Sequence, residues 1–339
     1  MRAALYYGPG DLRIEQVPEP RPAPDEVLLR PLHNGLCGTD LHQFYVASLS
    51  PTPLPIVVGH EFSAEVVEVG ARAEGVAVGD LVTVDPLWTC GGCGPCRGGS
   101  QNLCETVLCH GLGAGGGGLA ELTAVRARML HRVPEGLGAV AAALVEPMSV
   151  AYRGVLLARP APGGCAAVLG AGPIGIGCLL ALRALGVDDV VVSEPVAGRR
   201  AVAAALGAAL VLDPTASDVA AAVREHTRGA GVCVAIDAAG FAASFRTALA
   251  IAGRRGRLVT LAAYTEPVAY DPNDAMMREL EIVSSFSTCG EFRAVLEHMR
   301  AGRYPLDGWV ERVPFERQLD AYDRLHRGAA MKVLVDVGA

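Results

Sequence analysis

Four cysteines fall within one short window, Cys90-Gly-Gly-Cys93-Gly-Pro-Cys96 and then Cys104. Two-residue spacings let thiolates converge, and the glycines and proline between them supply the turns that aim the sulfurs inward. Four thiolates complete the tetrahedral shell of a zinc ion and leave no coordination position open, so the predicted site is structural. A redox-active cysteine pair needs two thiols, not four in so tight a setting. Cys109, Cys165, Cys178, Cys233 and Cys289 stand apart from the cluster and read as ordinary core or surface thiols.

A second set of donors is dispersed. Cys37-Gly38-Thr39-Asp40-Leu-His42 and Gly59-His60-Glu61 lie early in the chain, and Glu146-Pro147 comes much later. A thiolate with an imidazole is a zinc pairing, and Glu146 offers a carboxylate as third ligand. Three protein ligands leave one position for water or substrate, which is the catalytic arrangement. Taken singly, Cys37 also reads as a buried thiol, His60 as a satisfied core histidine and Glu146 as a helix surface charge. Spacing alone does not join positions 37, 60 and 146.

A third signal is Gly170-Ala-Gly172-Pro173-Ile174-Gly175, which comes after one apolar run and opens another. The first glycine permits a tight turn, the second lets a pyrophosphate approach the backbone, and the third lets helix and strand pack closely. The phosphates then meet free amides at the positive end of a helix dipole. Glu194, at the end of the next strand, can accept the ribose hydroxyls and repels a 2′-phosphate, which favours NAD over NADP. Arg199 is the counterweight, since an arginine there can hold that phosphate. Glu194 also reads more simply as a solvated strand end.

The elements that must carry these residues emerge from composition and pattern. The chain has 339 residues with 51% hydrophobic and 19% charged, enough for two domains and inconsistent with disorder. A formal charge of −7 offers no basic footprint for nucleic acid or an anionic membrane. The N-terminal residues carry no signal-peptide pattern, and the uncharged stretch 161–182 is interrupted by six glycines and two prolines, so no membrane span is expected. A cytoplasmic location is the expectation.

The first part reads as β-rich, with strands predicted over 2–7, 11–17, 26–33, 61–69 and 80–84, and a glycine-rich loop over 111–118. A helical stretch over 138–157 is predicted to break at Glu146-Pro147. Strands then alternate with helices: strands at 166–169, 190–193, 210–212, 232–236, 257–261 and 281–285, helices at 174–185, 196–206, 219–226 and 242–251. The pattern predicts an α/β fold with a six-stranded, doubly wound parallel sheet of Rossmann type. The last fifty or so residues are expected to hold two helices and a final strand over 331–337, with no further alternating unit.

Together, the Cys37-Gly-Thr39-Asp40 run, Gly59-His60-Glu61, the four-cysteine lobe, Glu146-Pro147 and the glycine fingerprint resemble the zinc-dependent medium-chain alcohol dehydrogenases, over essentially the whole length. The resemblance implies a β-rich GroES-like catalytic domain over 1–150 and 287–339, with a zinc lobe at about 86–110, and a dinucleotide-binding domain over 151–286. It implies two zinc ions per chain and an active site in the cleft between the domains. Glu146 stands where some relatives carry a second cysteine, a departure similar to the polyol and 2,3-butanediol dehydrogenase branch. Glu61 binds the metal in some members of that branch, so the third ligand is Glu61 or Glu146. The resemblance also places Thr39 against the substrate oxygen, His42 at the end of a proton relay through the cofactor ribose, and Asp40 behind His60. Gly38 replaces a basic residue that some relatives set against the pyrophosphate.

The resemblance implies NAD-linked oxidation of a secondary alcohol to a ketone, with zinc stabilising the alkoxide. The windows 59–63 and 110–113 look most like those of 2,3-butanediol dehydrogenases, so a vicinal diol or polyol is expected. A cyclitol or amino-sugar intermediate, or L-threonine, is the alternative substrate, with specificity in 44–55 and around Trp88. A non-catalytic, crystallin-like cofactor binder would tend to lack the zinc ligands present here. A homodimer or homotetramer acting on a small alcohol or ketone is likewise implied by the resemblance.

Overall fold

The computed structural model describes residues 1–47, 51–113 and 115–338. The chain divides into two compact units, the first formed by Met1–Glu146 with Thr288–Ala301 and Leu306–Ala339, the second by Pro147–Ser287 with Gly302–Pro305.

In the first unit the strand Glu26–Gly35 is the organiser. Its burial runs nearly continuously, as expected of a strand with neighbours on both edges and packing on both faces. It pairs antiparallel with Glu61–Val69 and with the C-terminal strand Lys332–Asp336. The register sets Gly35 opposite Glu61 on one side and Leu334 on the other. One core cluster holds Val27, Leu29, Phe62, Val66, Val82 and Val125. Another holds Tyr6, Leu36, Ile56, Val58, Val333 and Val335. A short ribbon of Leu87–Trp88 against Leu108–Cys109 brackets the cysteine window.

The final residues depart from expectation. Val310–Pro314 forms a strand parallel to Lys332–Asp336, with the helix Gln318–His326 between them, so an additional alternating unit does exist. Its first strand, Val-Glu-Arg-Val-Pro, sets two charged residues side by side and ends on proline, so no apolar run or alternation marks it.

In the second unit six parallel strands lie in the order 210–212, 189–193, 165–169, 232–237, 252–260 and 281–284, which is the doubly wound arrangement. One core cluster there combines Val191, Val223, Ala235, Phe245, Ile251 and Leu258. The helix break predicted at Glu146-Pro147 does not occur there. The helix Val145–Ala158 runs through Pro147, and the interruption falls after Ala139–Ala142. Pro147 is the third residue of its helix, within the first turn, where the missing amide costs no intrahelical bond. Among the described residues, no helix is long and apolar enough to cross a membrane.

Candidate active site

Antiparallel register gathers the dispersed donors. Glu61 begins its strand opposite Gly35, the last residue of the neighbouring strand, and Cys37 comes two residues later. Cys37 is also the N-cap of the helix Gly38–Tyr45: its sulfur accepts the Thr39 amide while the Asp40 carboxylate accepts the Cys37 amide at 2.8 Å. This reciprocal cap fixes the backbone of the Cys-Gly-Thr-Asp run. Asp40 is buried, and its other oxygen lies 3.4 Å from His60 Nδ1, leaving Nε2 as the nitrogen free to ligate a metal. The residues before His60 are braced by the glycine run, with the Gly59 amide on the Gly111 carbonyl and the Gly118 amide on the Gly59 carbonyl.

Cys37, His60 and Glu61 place their ligand atoms within 4.8 Å of one another. Glu146 is buried nearby, yet its carboxylate falls outside that group. Burial pushes the Glu146 carboxyl up to about 8, with the His60 charge opposing that rise and Glu61 adding to it. Burial works against a charged His60, but Asp40 and Cys37 more than offset it, and its pKa sits well above the usual range. A thiolate, an imidazole and surplus buried carboxylates form a donor set suited to a zinc-type cation.

Sequence reasoning misses one member of this cluster. Lys332 is buried with its ammonium on Glu61 Oε2 and donates to the Leu36 carbonyl at 2.9 Å. A side chain at Gly35 would put its Cβ 2.2 Å from Glu61 Oε2 and 3.1 Å from Lys332 Nζ, so glycine there makes room for the pair. A signal was available: Lys332 is the one lysine in a chain with 29 basic residues, and it interrupts an apolar strand.

Thr39 and His42 lie three residues apart on one helix, hence on the same face, both half-buried. The Thr39 hydroxyl is 3.6 Å from Cys37 Sγ. Of the stretch 44–55, residues 48–50 lie outside the described residues.

Cys90, Cys93, Cys96 and Cys104 also bring their sulfurs within 4.8 Å of one another. The amides of Gly92 and Cys93 donate to Cys90 Sγ at 3.4 and 3.3 Å, and the Cys90 amide donates to Cys104 Sγ at 3.3 Å. That last bond leads the effects holding the Cys104 thiol down, to about 6. Four convergent sulfurs, two of them already accepting amide hydrogen bonds, fit a tetrahedral zinc.

In the second unit the Gly170–Gly175 turn has the shape that the fingerprint requires. A Cβ on Gly175 would lie 1.9 Å from the Gly170 carbonyl oxygen, whereas one on Gly172 would meet nothing in the protein. The space over Gly172 at the N-terminus of the helix Pro173–Ala184 is therefore open, and Pro173 and Ile174 begin that helix. Glu194 is buried and accepts the Ala171 amide at 2.7 Å and the Val196 amide at 2.9 Å, which ties the second strand to the turn. Arg199 is half-buried on the helix Ala197–Ala205, but Arg200 makes the local contacts, donating to the Glu194 carbonyl at 2.9 Å and pairing with Asp213.

Residues 23–135 match the alcohol dehydrogenase GroES-like domain, and residues 173–301 match the zinc-binding dehydrogenase domain. The chain is 32% identical over 343 residues to a sorbitol dehydrogenase of Bombyx mori, covering 99% of this chain and 98% of the relative. It is 35% identical over 320 residues to an (R,R)-butanediol dehydrogenase of Bacillus subtilis, covering 91% of each. The chain belongs to the zinc-dependent medium-chain alcohol dehydrogenases. The crystal structure of 2R,3R-butanediol dehydrogenase from Bacillus subtilis superposes with a TM-score of 0.93 at 32% identity, covering 99% of both chains. As a medium-chain dehydrogenase the chain is an oxidoreductase acting on CH–OH groups, with zinc and a nicotinamide dinucleotide as cofactors.

Proposed function

We propose that this dehydrogenase oxidises a secondary alcohol that carries a neighbouring hydroxyl, a vicinal diol or polyol, to the hydroxyketone with NAD. The observation that carries the reading is the convergence of Cys37, His60 and Glu61 at one end of the antiparallel sheet. These three are the proposed ligands of a catalytic zinc, and the four-cysteine window is the proposed seat of a second. Charge alone would favour Glu146 over Glu61, because Lys332 already neutralises Glu61. The grouping of Glu61, and not Glu146, with Cys37 and His60 supports Glu61 as the third ligand. Glu146 would then be a further buried carboxylate acting electrostatically on His60 and Glu61.

When bound, zinc supplies a Lewis acid for the alcohol oxygen and the nicotinamide supplies the hydride acceptor. The protein's own residues handle position and protons. Asp40 holds His60 in one orientation, and Lys332 holds one oxygen of Glu61. Thr39 receives the hydroxyl proton of the alcohol, and His42, one turn further along the same face, releases it towards solvent. The products balance as ketone, reduced nicotinamide and one proton.

The choice of NAD rests on Glu194, whose buried carboxylate sits beside the glycine turn, where it opposes a 2′-phosphate. The counterweight stays Arg199, half-buried on the helix Ala197–Ala205, while its neighbour Arg200 is engaged with Asp213 and backbone carbonyls. The edge strand Glu281–Ser284 exposes Ile282, with Phe286, Met276 and Met277 exposed around it, which supports a homo-oligomer formed along that edge. All ten cysteines are unpaired, in keeping with a reducing cytoplasm.

The test is a panel of initial rates with 2,3-butanediol stereoisomers, sorbitol, L-threonine and inositol, each with NAD and NADP, before and after chelation. Chelator-sensitive turnover of a diol or polyol with NAD is the expected result. Turnover of threonine alone, or of none while two zinc ions stay bound, would overturn the substrate class.

A further inference from the structure

Within the second unit, Cys165, Asp189 and His226 bring a sulfur, a carboxylate oxygen and an imidazole nitrogen within 4.8 Å of one another. The fold sets them there by register. Cys165 and Asp189 are the first residues of adjacent parallel strands and are paired directly across the ladder. Parallel neighbours stand about 4.8 Å apart with side chains on a common face. His226 ends the helix Val219–His226, and its Nε2 lies 2.7 Å from Asp189 Oδ1. Cys233 is one strand over, one step before the Ala166–Val234 pair. Gly164, just before Cys165, adds no side chain to the approach. This group lies at the opposite end of the strand Cys165–Leu169 from the glycine turn, about 15 Å along the chain direction.

We propose that Cys165, Asp189 and His226 form a third cation site, for a thiophilic divalent ion of the zinc type, distinct from the catalytic and four-cysteine centres. In sequence Cys165 reads as filler, because its two partners are remote along the chain. The donor set of one sulfur, one imidazole and one carboxylate is that of zinc, with solvent completing the shell. Ligand atoms in a tetrahedral zinc shell are separated by roughly 3.5 Å, so side-chain rotations of about 1 Å suffice, drawing the sulfur in and parting the imidazole nitrogen from the carboxylate oxygen now 2.7 Å away. His226 and Asp189 are part-exposed, which provides an entry path. Coordination replaces the S–H proton of Cys165, which leaves to solvent, and needs a neutral His226. An activated thiol nucleophile is disfavoured by the order of the groups, since the carboxylate, not the imidazole, lies between the other two.

The experiment adds cobalt(II) to enzyme carrying two zinc ions per chain and reads bound cobalt per chain together with the sulfur-to-metal charge-transfer absorbance. Wild type is expected to take one equivalent more than Cys165→Ser and His226→Gln, with Asp189→Asn at least tenfold weaker. Exchange into the other two zinc sites would appear equally in all four proteins and cancels in the comparison. Added zinc should also protect Cys165 from alkylation in wild type but not in His226→Gln, read by mass spectrometry. No additional equivalent in wild type, or an equivalent retained by both variants, would overturn the proposal.

Discussion

Lys332→Met tests the buried pair at the candidate catalytic centre. Both partners are 1% exposed, so removing the ammonium strands the Glu61 carboxylate in a dry site. Breaking a buried ion pair from one side costs about 3–5 kcal/mol, because an uncompensated charge remains. That full cost falls on the metal-free protein. With zinc bound, the cation replaces the lost counter-charge, and the remaining loss is the hydrogen bond to the Leu36 carbonyl, about 1–2 kcal/mol. The thermodynamic cycle returns the difference, about 2–3 kcal/mol, as tighter zinc binding, or roughly 30- to 150-fold. Urea denaturation of zinc-loaded and metal-stripped protein, with chelator competition for the zinc, measures both legs. Metal-free stability within about 1 kcal/mol of wild type would refute the reasoning. So would weaker zinc binding, because either result means that Lys332 does not compete with the metal for Glu61.

Three further outcomes are expected from other parts of the structure. Glu194→Gln removes the charge beside the glycine turn and should lower the NAD-over-NADP preference in kcat/KM by about tenfold, equivalent to roughly 1.4 kcal/mol; an unchanged ratio would remove Glu194 as the determinant. His110 is buried beside the Thr123 hydroxyl at 3.2 Å, and burial holds its pKa down at about 4. The unfolded chain binds the proton first, so this contribution is complete above the unfolded value and is lost as pH falls from about 6.5 to 4, up to about 3 kcal/mol. His110→Gln should therefore flatten the acid limb of the stability profile relative to wild type, and parallel limbs would contradict the assignment. Ile282→Arg places a charge on the exposed edge strand and should shift sedimentation towards monomer; an unaltered assembly would place the interface elsewhere.

Much of this protein is local information. The six parallel strands were legible because apolar runs, glycine turns and helical stretches alternate within windows of a few residues. The four-cysteine window and the glycine fingerprint were legible for the same reason: each is a contiguous stretch whose backbone and donors act together. The missed features are those in which local signals conflict or are weak. Pro147 looks like a helix breaker until it is seen within a first turn.

The sequence by itself determined the two-part organisation, the parallel sheet, the cysteine window and the residue types available for metal and dinucleotide. Tertiary structure decided which of those residues meet. Antiparallel register joins Gly35 to Glu61 and draws Lys332 from the far end of the chain onto the same carboxylate, while parallel register sets Cys165 beside Asp189. Ladder register depends on pairings between distant segments, and shifting it by one residue would turn every side chain to the opposite face. No spacing along the chain encodes that choice, and the candidate catalytic centre exists only once it has been made.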